Sequence, residues 1–401
     1  MLDDSLLDDP AALQRADLDH ALLALAGAGA RVRTALRLAE AAGLDRLQPD
    51  GRPRAVLVAG HGSALTAGEA LAALAGTATL IRPLPAADAR PAGGSSAFST
   101  GLTWQLPGWV GPLDLLVIAS ADGGERGLIA LAEQGYARGC AIAVISPPDR
   151  PLAEAALQVR ALPLPYVSSA TAEPAEAAEP DLPAEDPAAL WAFLAPLLAL
   201  AARIGVLPLA ARALEELADL LDELAVRHRP DAAAYLNPAK GLAARLAETV
   251  PLLWSEGPVA AVAADRFAAM LADRAGRPAV TGQLPQALTA HRGMFAGRLG
   301  AGADPDDFFR DRVEEPDPLT LQVLLLRHVP QQGTEPDEQS GPESGSATHG
   351  VRRAHRLAAN HDVRLTEYVG LRQEPLEALA ELVALTDFAA VYLGLAADSG
   401  H

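Results

Sequence analysis

The sequence predicts an α/β protein made of two units, each a parallel sheet covered by helices in three layers. Three observations carry this. Leu115–Ala119 and Ala55–Ala59 are short, continuous apolar runs, the pattern of strands buried on both faces. Each runs into a turn of small residues, Ser120–Gly124 or Gly60-His61-Gly62-Ser63, and then into helical spacing at Leu128–Ala137 or Ala64–Leu74. Strands alternate with helices a second time beyond residue 186, and such alternation implies parallel sheets. Turns of this kind point backbone N–H groups at the open end of a sheet, where anions bind.

The remaining elements follow in order. Asp17–Ala42 has Leu and Ala at helical spacing, with Gly43 as its stop. Thr77–Ile81 is β-branched strand material, and Pro83–Gly101 is a mobile Pro/Gly/Ser-rich loop. Ala141–Ile145 closes the first sheet and a helix follows near Leu152–Leu157. Thr171–Pro187 is a low-complexity Ala/Glu/Pro stretch without core-forming residues. The expected division is therefore 1–165, a linker at 166–186, and 187–401. In the second part Leu190–Leu207, Leu209–Arg227, Asn237–Glu248, Asp265–Ala275 and Pro375–Ala396 read as helices. Leu252–Trp254, Val259–Val262, Leu319–Leu326 and Arg364–Tyr368 read as strands. Asp304–Arg312 is acidic with paired Phe, and Gln331–His349 is a polar, disordered insertion.

Composition limits the function. Hydrophobic residues make up 50% but aromatics only 4%, which suits Ala- and Leu-rich helices packed closely on a sheet. A net charge of −19 argues against nucleic-acid or anionic-membrane surfaces, while a small anion held by local N–H groups remains compatible. One cysteine, Cys140, excludes a disulfide framework and a Cys-based zinc site. Nine histidines fall into no metal-ligand spacing, so neither a metal nor another cofactor is expected. Met1–Pro10 is acidic and lacks a signal-peptide pattern. Leu190–Ala202 falls short of the roughly 20 residues a membrane span needs. A soluble, cytoplasmic protein is expected.

Several motifs resemble the bifunctional phosphoglucose/phosphomannose isomerases, which are built from two sugar isomerase (SIS) domains. VLVAGHGSALTAG is similar to that family's first glycine turn, GMGGSAIGG, and LPGWVGPLDLLVIAS to the lead into its phosphate loop. Asn237-Pro238-Ala239-Lys240 matches its asparagine-proline-alanine-lysine helix start. Arg266–Pro278 resembles RWKxQLNENxKxP, Leu284-Pro285-Gln286 the LPE before the catalytic HN, and Asp387–Leu395 the DxxSVYLAL helix. The resemblance implies interconversion of glucose 6-phosphate or mannose 6-phosphate with fructose 6-phosphate, without metal, by a homodimer whose site draws on both subunits. It places the general base at Asp273 and the ring-opening acid at His291, the latter after a two-residue shift. Gly60, His61, Gly62, Ser63, Ser120, Gly123, Gly124, Lys240 and Arg266 fall on or near substrate-binding positions.

The departures are equally specific. The phosphate loop SYSGNTEET is replaced by Ala119–Gly127, ASADGGERG, with none of its hydroxyls matched and Ser120 one position away. Asp122 and Glu125 add negative charge there, repelling an anion unless Arg126 folds back. Asp-Pro stands at 186–187 in place of the interdomain PPR, and the lysine near the family's end is missing. Asp273 is shorter than the family's glutamate by one methylene, about 1.5 Å of reach, and a misplacement of about 1 Å can cost a hundredfold in rate. Each candidate has a plainer alternative: Asp273 an exposed helix carboxylate, His291 and His61 loop residues, Lys240 a packing residue, Arg352–Arg356 a solvated helix face. Two functions therefore stand open: an active isomerase, and a degenerate SIS protein that binds or senses a sugar phosphate, or organises a partner enzyme, without turnover.

Overall fold

A computed structural model describes residues 4–49, 51–89, 98–168, 185–296, 320–329 and 348–397. The acidic stretch at 304–312, most of the polar insertion at 331–349 and the middle of the linker lie outside the described residues. The described chain forms two compact units, 18–225, and 1–17 with 226–401.

Two short helices, α1 (Asp4–Leu7) and α2 (Pro10–Ala16), open the chain. The first unit starts with α3 (Ala21–Ala26) and α4 (Ala28–Ala41), split at Gly27 where one helix was expected. Gly43 ends α4 in the left-handed region at φ +97°, as its sequence position implies. There follow β1 (Ala55–Ala59), α5 (Ser63–Ala75), β2 (Leu80–Leu84), the short antiparallel pair β3 (Asp88–Ala89) and β4 (Leu102–Thr103), β5 (Asp114–Ala119), α6 (Arg126–Ala137), β6 (Ala141–Ser146), α7 (Pro151–Gln158) and β7 (Leu162–Pro165). The sheet runs β2-β1-β5-β6-β7, all parallel. Its two proline-bearing strands, β2 and β7, are the edges, where a missing N–H costs no ladder bond. Those prolines displaced the expected strand at 77–81 and hid β7 altogether.

One face of this sheet packs Leu57, Leu116, Ile118 and Val144 against Leu128 and Leu131 of α6 and Leu152 of α7. On the other, Gly68 of α5 lies so close to β1 that an added Cβ would stand 2.8 Å from Val58 Cβ. Here α5 also meets α8 (Ala189–Arg203), which packs against α4. The helix after the expected linker thus completes the first unit, and the division by packing falls at 225/226 rather than at 166–186. Asp186, paired with Arg31 of α4 at 2.7 Å, fixes the chain as it enters α8.

The second unit follows α9 (Ala213–Arg227), which crosses the boundary. It holds α10 (Pro238–Leu246), β8 (Thr249–Glu256), α11 (Pro258–Ala275), β9 (Val280–Gln283), α12 (Ala287–Ala290), α13 (Arg292–Phe295), β10 (Thr320–Arg327), α14 (His349–Asn360), β11 (Arg364–Val369) and α15 (Pro375–Ala397). The parallel sheet is ordered β11-β10-β8-β9. Val259–Val262, expected as a strand, forms the first turns of α11, because Gly257 turns the chain at φ +90° and Pro258 suits a first helical position. Trp254, Val323 and Leu325 pack against Ala354 of α14 on one face, and α10, α11 and α15 form the other layer. By length and composition α15 could span a membrane, yet 83% of its apolar window is buried, so it serves as the core helix of this unit.

Candidate functional site

Ligands of open α/β sheets bind outside the carboxyl ends of the strands, where the strand order reverses. In the first unit the chain leaves β1 toward β2 on one side, and β5 toward β6 on the other, so the reversal lies between β1 and β5. Gly60–Ser63 and Ser120–Glu125 follow those two strands. Gly60 must lack a side chain, since a Cβ would stand 2.9 Å from Ala119 O. The geometry therefore brings together Gly60, His61, Gly62, Ser63, Ser120, Gly123 and Gly124.

Five donors of this turn, the Ser63, Asp122, Gly123 and Gly124 N–H groups and the Ser120 hydroxyl, are engaged by the chain itself. Glu125 is fully buried. Its carboxylate takes the Ser120 hydroxyl, with Oγ 2.6 Å from Oε2, and meets His61 Nε2 at 3.0 Å. Ser120 Oγ in turn accepts the N–H groups of Gly123 at 2.6 Å and Asp122 at 3.2 Å. The Gly124 N–H donates to Asp122 Oδ2 at 3.1 Å. Across the turn, the Ser63 N–H at the start of α5 points at both oxygens of Glu185. Asp122 is neutralised by Arg150, which precedes α7 and also donates Nε to Asp122 O at 2.6 Å. Arg126, which would offset the new acids only by folding back over them, is exposed.

The hydrogen bond to Glu125 raises the His61 pKa above its ordinary value, against the opposing effect of burial. Burial alone would push the Glu125 carboxyl up, but hydrogen bonds from His61 and Ser120 overcome it and hold the group below the usual range. A raised histidine contributes stability that is fully present below its unfolded pKa, about 6.5, and lost as pH rises through the folded value. The stability difference between the wild type and H61Q should accordingly be largest near about pH 5.5 and shrink toward about pH 8. Urea unfolding at both pH values checks this, and a difference independent of pH contradicts it.

The second unit reverses between β8 and β10. Its carboxyl edge is filled by charge pairs: Arg327, at 4% exposure, bonds Glu256 and Glu367. His355 of α14 meets Glu367 at 3.0 Å, and Thr348 donates to Glu256. Asp273 and His291 do not meet within one chain. Asp273 is the sixteenth residue of α11, about 22 Å along the helix from its start beside the end of β8. Just past the end of α11, Arg277 bonds Ala247 O, ahead of β8, which places this end of the helix at the amino edge of the sheet. Asp273 is 46% exposed and paired with Arg274 at 2.9 Å. His291 lies toward the other edge, where its Nδ1 accepts the Trp254 indole N–H at 2.9 Å. Burial lowers its pKa and so favours a neutral ring.

Lys240 and Arg266, read as substrate contacts, are structural. Lys240 is fully buried and donates to the carbonyls of Leu7 at 2.6 Å, Pro230 at 2.6 Å and Ala232 at 2.8 Å. Arg266 is locked to Asp387 of α15, with Nε at 3.0 Å and 2.9 Å from the two oxygens and Nη2 at 2.8 Å. Sequence reasoning missed Glu185, hidden in a linker-like stretch, and Arg150, whose only signal was its proximity to Pro151. Among the described residues, no cluster of three or more His, Cys, Asp or Glu is arranged to hold a metal.

Comparison with known proteins places this geometry. Residues 236–399 match the bacterial phospho-glucose isomerase C-terminal SIS domain. No curated protein matches the chain. A hypothetical protein of Thermus thermophilus superposes with a TM-score of 0.59 at 14% identity, covering 98% of this chain and 89% of that one. A protein of Clostridium difficile assigned as a phosphosugar isomerase gives 0.54 at 9% identity, over 92% and 90%. The C-terminal domain of glucosamine-fructose-6-phosphate aminotransferase from Francisella tularensis gives 0.50 at 12%, over 94% and 97%. These likenesses show a shared fold of two helix-covered parallel sheets. Over residues 236–399 the chain is thus similar to the bacterial phospho-glucose isomerase C-terminal SIS domain, and over nearly its whole length it shares the fold of these solved structures.

Proposed function

We propose that this protein is a cytoplasmic, homodimeric SIS protein that binds or senses a sugar phosphate without isomerising it. One observation carries the absence of turnover: the Ser120 hydroxyl, the Gly124 N–H and the Ser63 N–H of the first unit's turn are taken up by Glu125, Asp122 and Glu185 of the same chain. Aldose–ketose isomerisation also needs a general base within reach of the proton it moves. Asp273 and His291 stand at opposite edges of one sheet, so a shared site would have to join residues of two copies. Even there the aspartate falls about 1.5 Å short of the glutamate it replaces. A positioned acid or base supplies about 10²–10⁴-fold of rate, and typical enzymes turn over at about 10 s⁻¹.

The expected result is a rate below about 10⁻² s⁻¹ for glucose 6-phosphate and mannose 6-phosphate in a coupled assay of fructose 6-phosphate formation. D273N and H291N leave the signal at the same background. Turnover near 10 s⁻¹ that D273N abolishes would establish the active-isomerase reading instead.

A further inference from the structure

Among the described residues the two parallel sheets have four edge strands, and three of them are blunted. β2 carries Pro83, β7 carries Pro163 and Pro165, and β9 is only four residues long, features that discourage a further strand. β11 differs. Arg364–Val369 is six residues without proline or glycine, and it pairs only with β10. The Gly370 N–H that follows it donates to Arg327 O at 2.9 Å, which sets the parity of the ladder. The N–H and C=O groups of Leu365, Glu367 and Val369 therefore turn away from β10, and no backbone group among the described residues meets them. A second, independent observation is the charge around this edge. From Thr348 to Thr366 four arginines, Arg352, Arg353, Arg356 and Arg364, stand against one acid, Asp362. All four are exposed, without a carboxylate partner among the described residues. His355 of α14 meets Glu367 at 3.0 Å, so the side of α14 that carries it faces β11. Arg352 and Arg356 lie on that side, one turn apart. The opposite face of β11 carries Tyr368, whose hydroxyl accepts from the Arg245 guanidinium of α10. Arg364 shares that face by alternation, and Arg245 Nε is buried without a partner among the described residues. The strand's own carboxylate, Glu367, is already neutralised by Arg327 and His355.

We propose that the open edge of β11 docks an extended acidic segment of a partner protein, which adds to the sheet as a further strand. Its backbone pairs with the outward groups of Leu365, Glu367 and Val369. Its alternate side chains reach Arg352 and Arg356 on one face, and Arg364 and Arg245 on the other. Main-chain bonds of this kind supply affinity, and the side-chain contacts supply selectivity. The overall charge decides among anionic partners. A chain of −19 repels a long nucleic acid or a membrane surface across a wide area. A short segment meets only the basic patch, because exposed charges beyond about 8 Å are largely screened at physiological salt. The inference goes beyond the sugar-phosphate reading, and no residue of the first unit's turn takes part in it.

The test is fluorescence anisotropy of a labelled, capped peptide titrated with the full-length protein. The peptide has about six residues, the length of a typical strand, and alternates glutamate with valine so that its acids share one face. A lysine counterpart and an N-methylated copy, which lacks backbone donors, are the controls. Wild type should bind the glutamate peptide alone, and more weakly at high salt. R352E/R356E changes only an exposed helix face; it should weaken that binding at least about tenfold and take up the lysine peptide instead. V369P deletes an outward N–H while leaving the ladder to β10 intact, and it should abolish binding. If thermal unfolding shows V369P to be misfolded, the N-methylated peptide asks the same question. No binding at about 1 mM, equal binding by R352E/R356E, or equal binding of the N-methylated peptide overturns the proposal. So does tighter binding of oligothymidylate or phosphatidylserine vesicles that R352E/R356E removes. A dimer that V369P dissolves would assign the edge to a second copy of this chain, and overturns it too.

Discussion

Replacing Arg266 by methionine should destabilise the second unit by about 3–5 kcal/mol, the cost of stranding one partner of a buried ion pair. The pair joins α11 to α15, with Arg266 at 6% and Asp387 at 1% exposure, and three N–O contacts bind it in bidentate form. Burial pushes the Asp387 carboxyl up, and the Arg266 guanidinium opposes that rise. Without the arginine nothing comparable remains to oppose it, and the carboxyl protonates rather than staying bare. A carboxyl whose folded pKa is raised loses stability as pH climbs from its unfolded value, about 3.9, toward the folded one. The deficit of R266M should therefore be small near about pH 4 and grow toward about pH 7. Urea unfolding reports it, with hydrogen exchange in α15 locating the loss. R266M/D387L should recover most of the stability, since an apolar pair of similar volume often equals or exceeds a buried salt bridge. Recovery of nothing, or a deficit below about 1 kcal/mol, the range of exposed pairs, would contradict this account.

The second large effect is expected at Lys240. Its ammonium group satisfies three carbonyls, two from the segment before α10 and one from Leu7, and it lies 5.5 Å from the Tyr392 ring centroid. The bond to Leu7 helps tie the first 17 residues to the second unit, together with the Ala234 N–H donated to Asp8 and the packing of α1 and α2 on α15. K240M keeps most of the volume and removes every donor. An unsatisfied buried acceptor costs about 1–3 kcal/mol, so with three acceptors affected the loss should exceed about 3 kcal/mol. Amide exchange in residues 4–17 should rise further than elsewhere in the unit. K240R should not rescue it, because a planar guanidinium cannot reproduce a compact ammonium surrounded by three acceptors. Local exchange equal to the wild type's would show that Leu7 is held by something else.

Much of the architecture was legible because its signals are local. Leu115–Ala119 and Ala55–Ala59 read as doubly buried strands, and every residue of both is buried. The glycines after them mark the turns correctly, since Gly62 and Gly123 have positive φ. Signals failed where tertiary context decides the outcome. Val259–Val262 is β-branched enough to suggest a strand, but Gly257 and Pro258 start a helix there. Leu162–Pro165 carries two prolines, and only its place at a sheet edge makes it a strand.

The site was harder to read for a related reason. Motif resemblance located Lys240 and Arg266 but could not name their partners, among them Leu7, 233 residues from Lys240, and Asp387, 121 residues from Arg266. Those partners turn two would-be ligand contacts into structural bonds. Glu125 was visible as an unwelcome charge in the phosphate loop. Its conversion into the shared acceptor of Ser120 and His61 required β1 and β5 to be neighbours. Glu185 sat among Ala, Glu and Pro residues with no periodicity to set it apart.

Whether this protein lacks isomerase chemistry is tested most directly with glucose 6-phosphate carrying deuterium at C2, incubated with full-length wild type and followed by mass spectrometry. Enediol formation releases that deuterium to water even when no ketose accumulates, so the assay detects a partial reaction. Loss of label no faster than in buffer alone is the expected result; faster loss that D273N or H291N abolishes would contradict it.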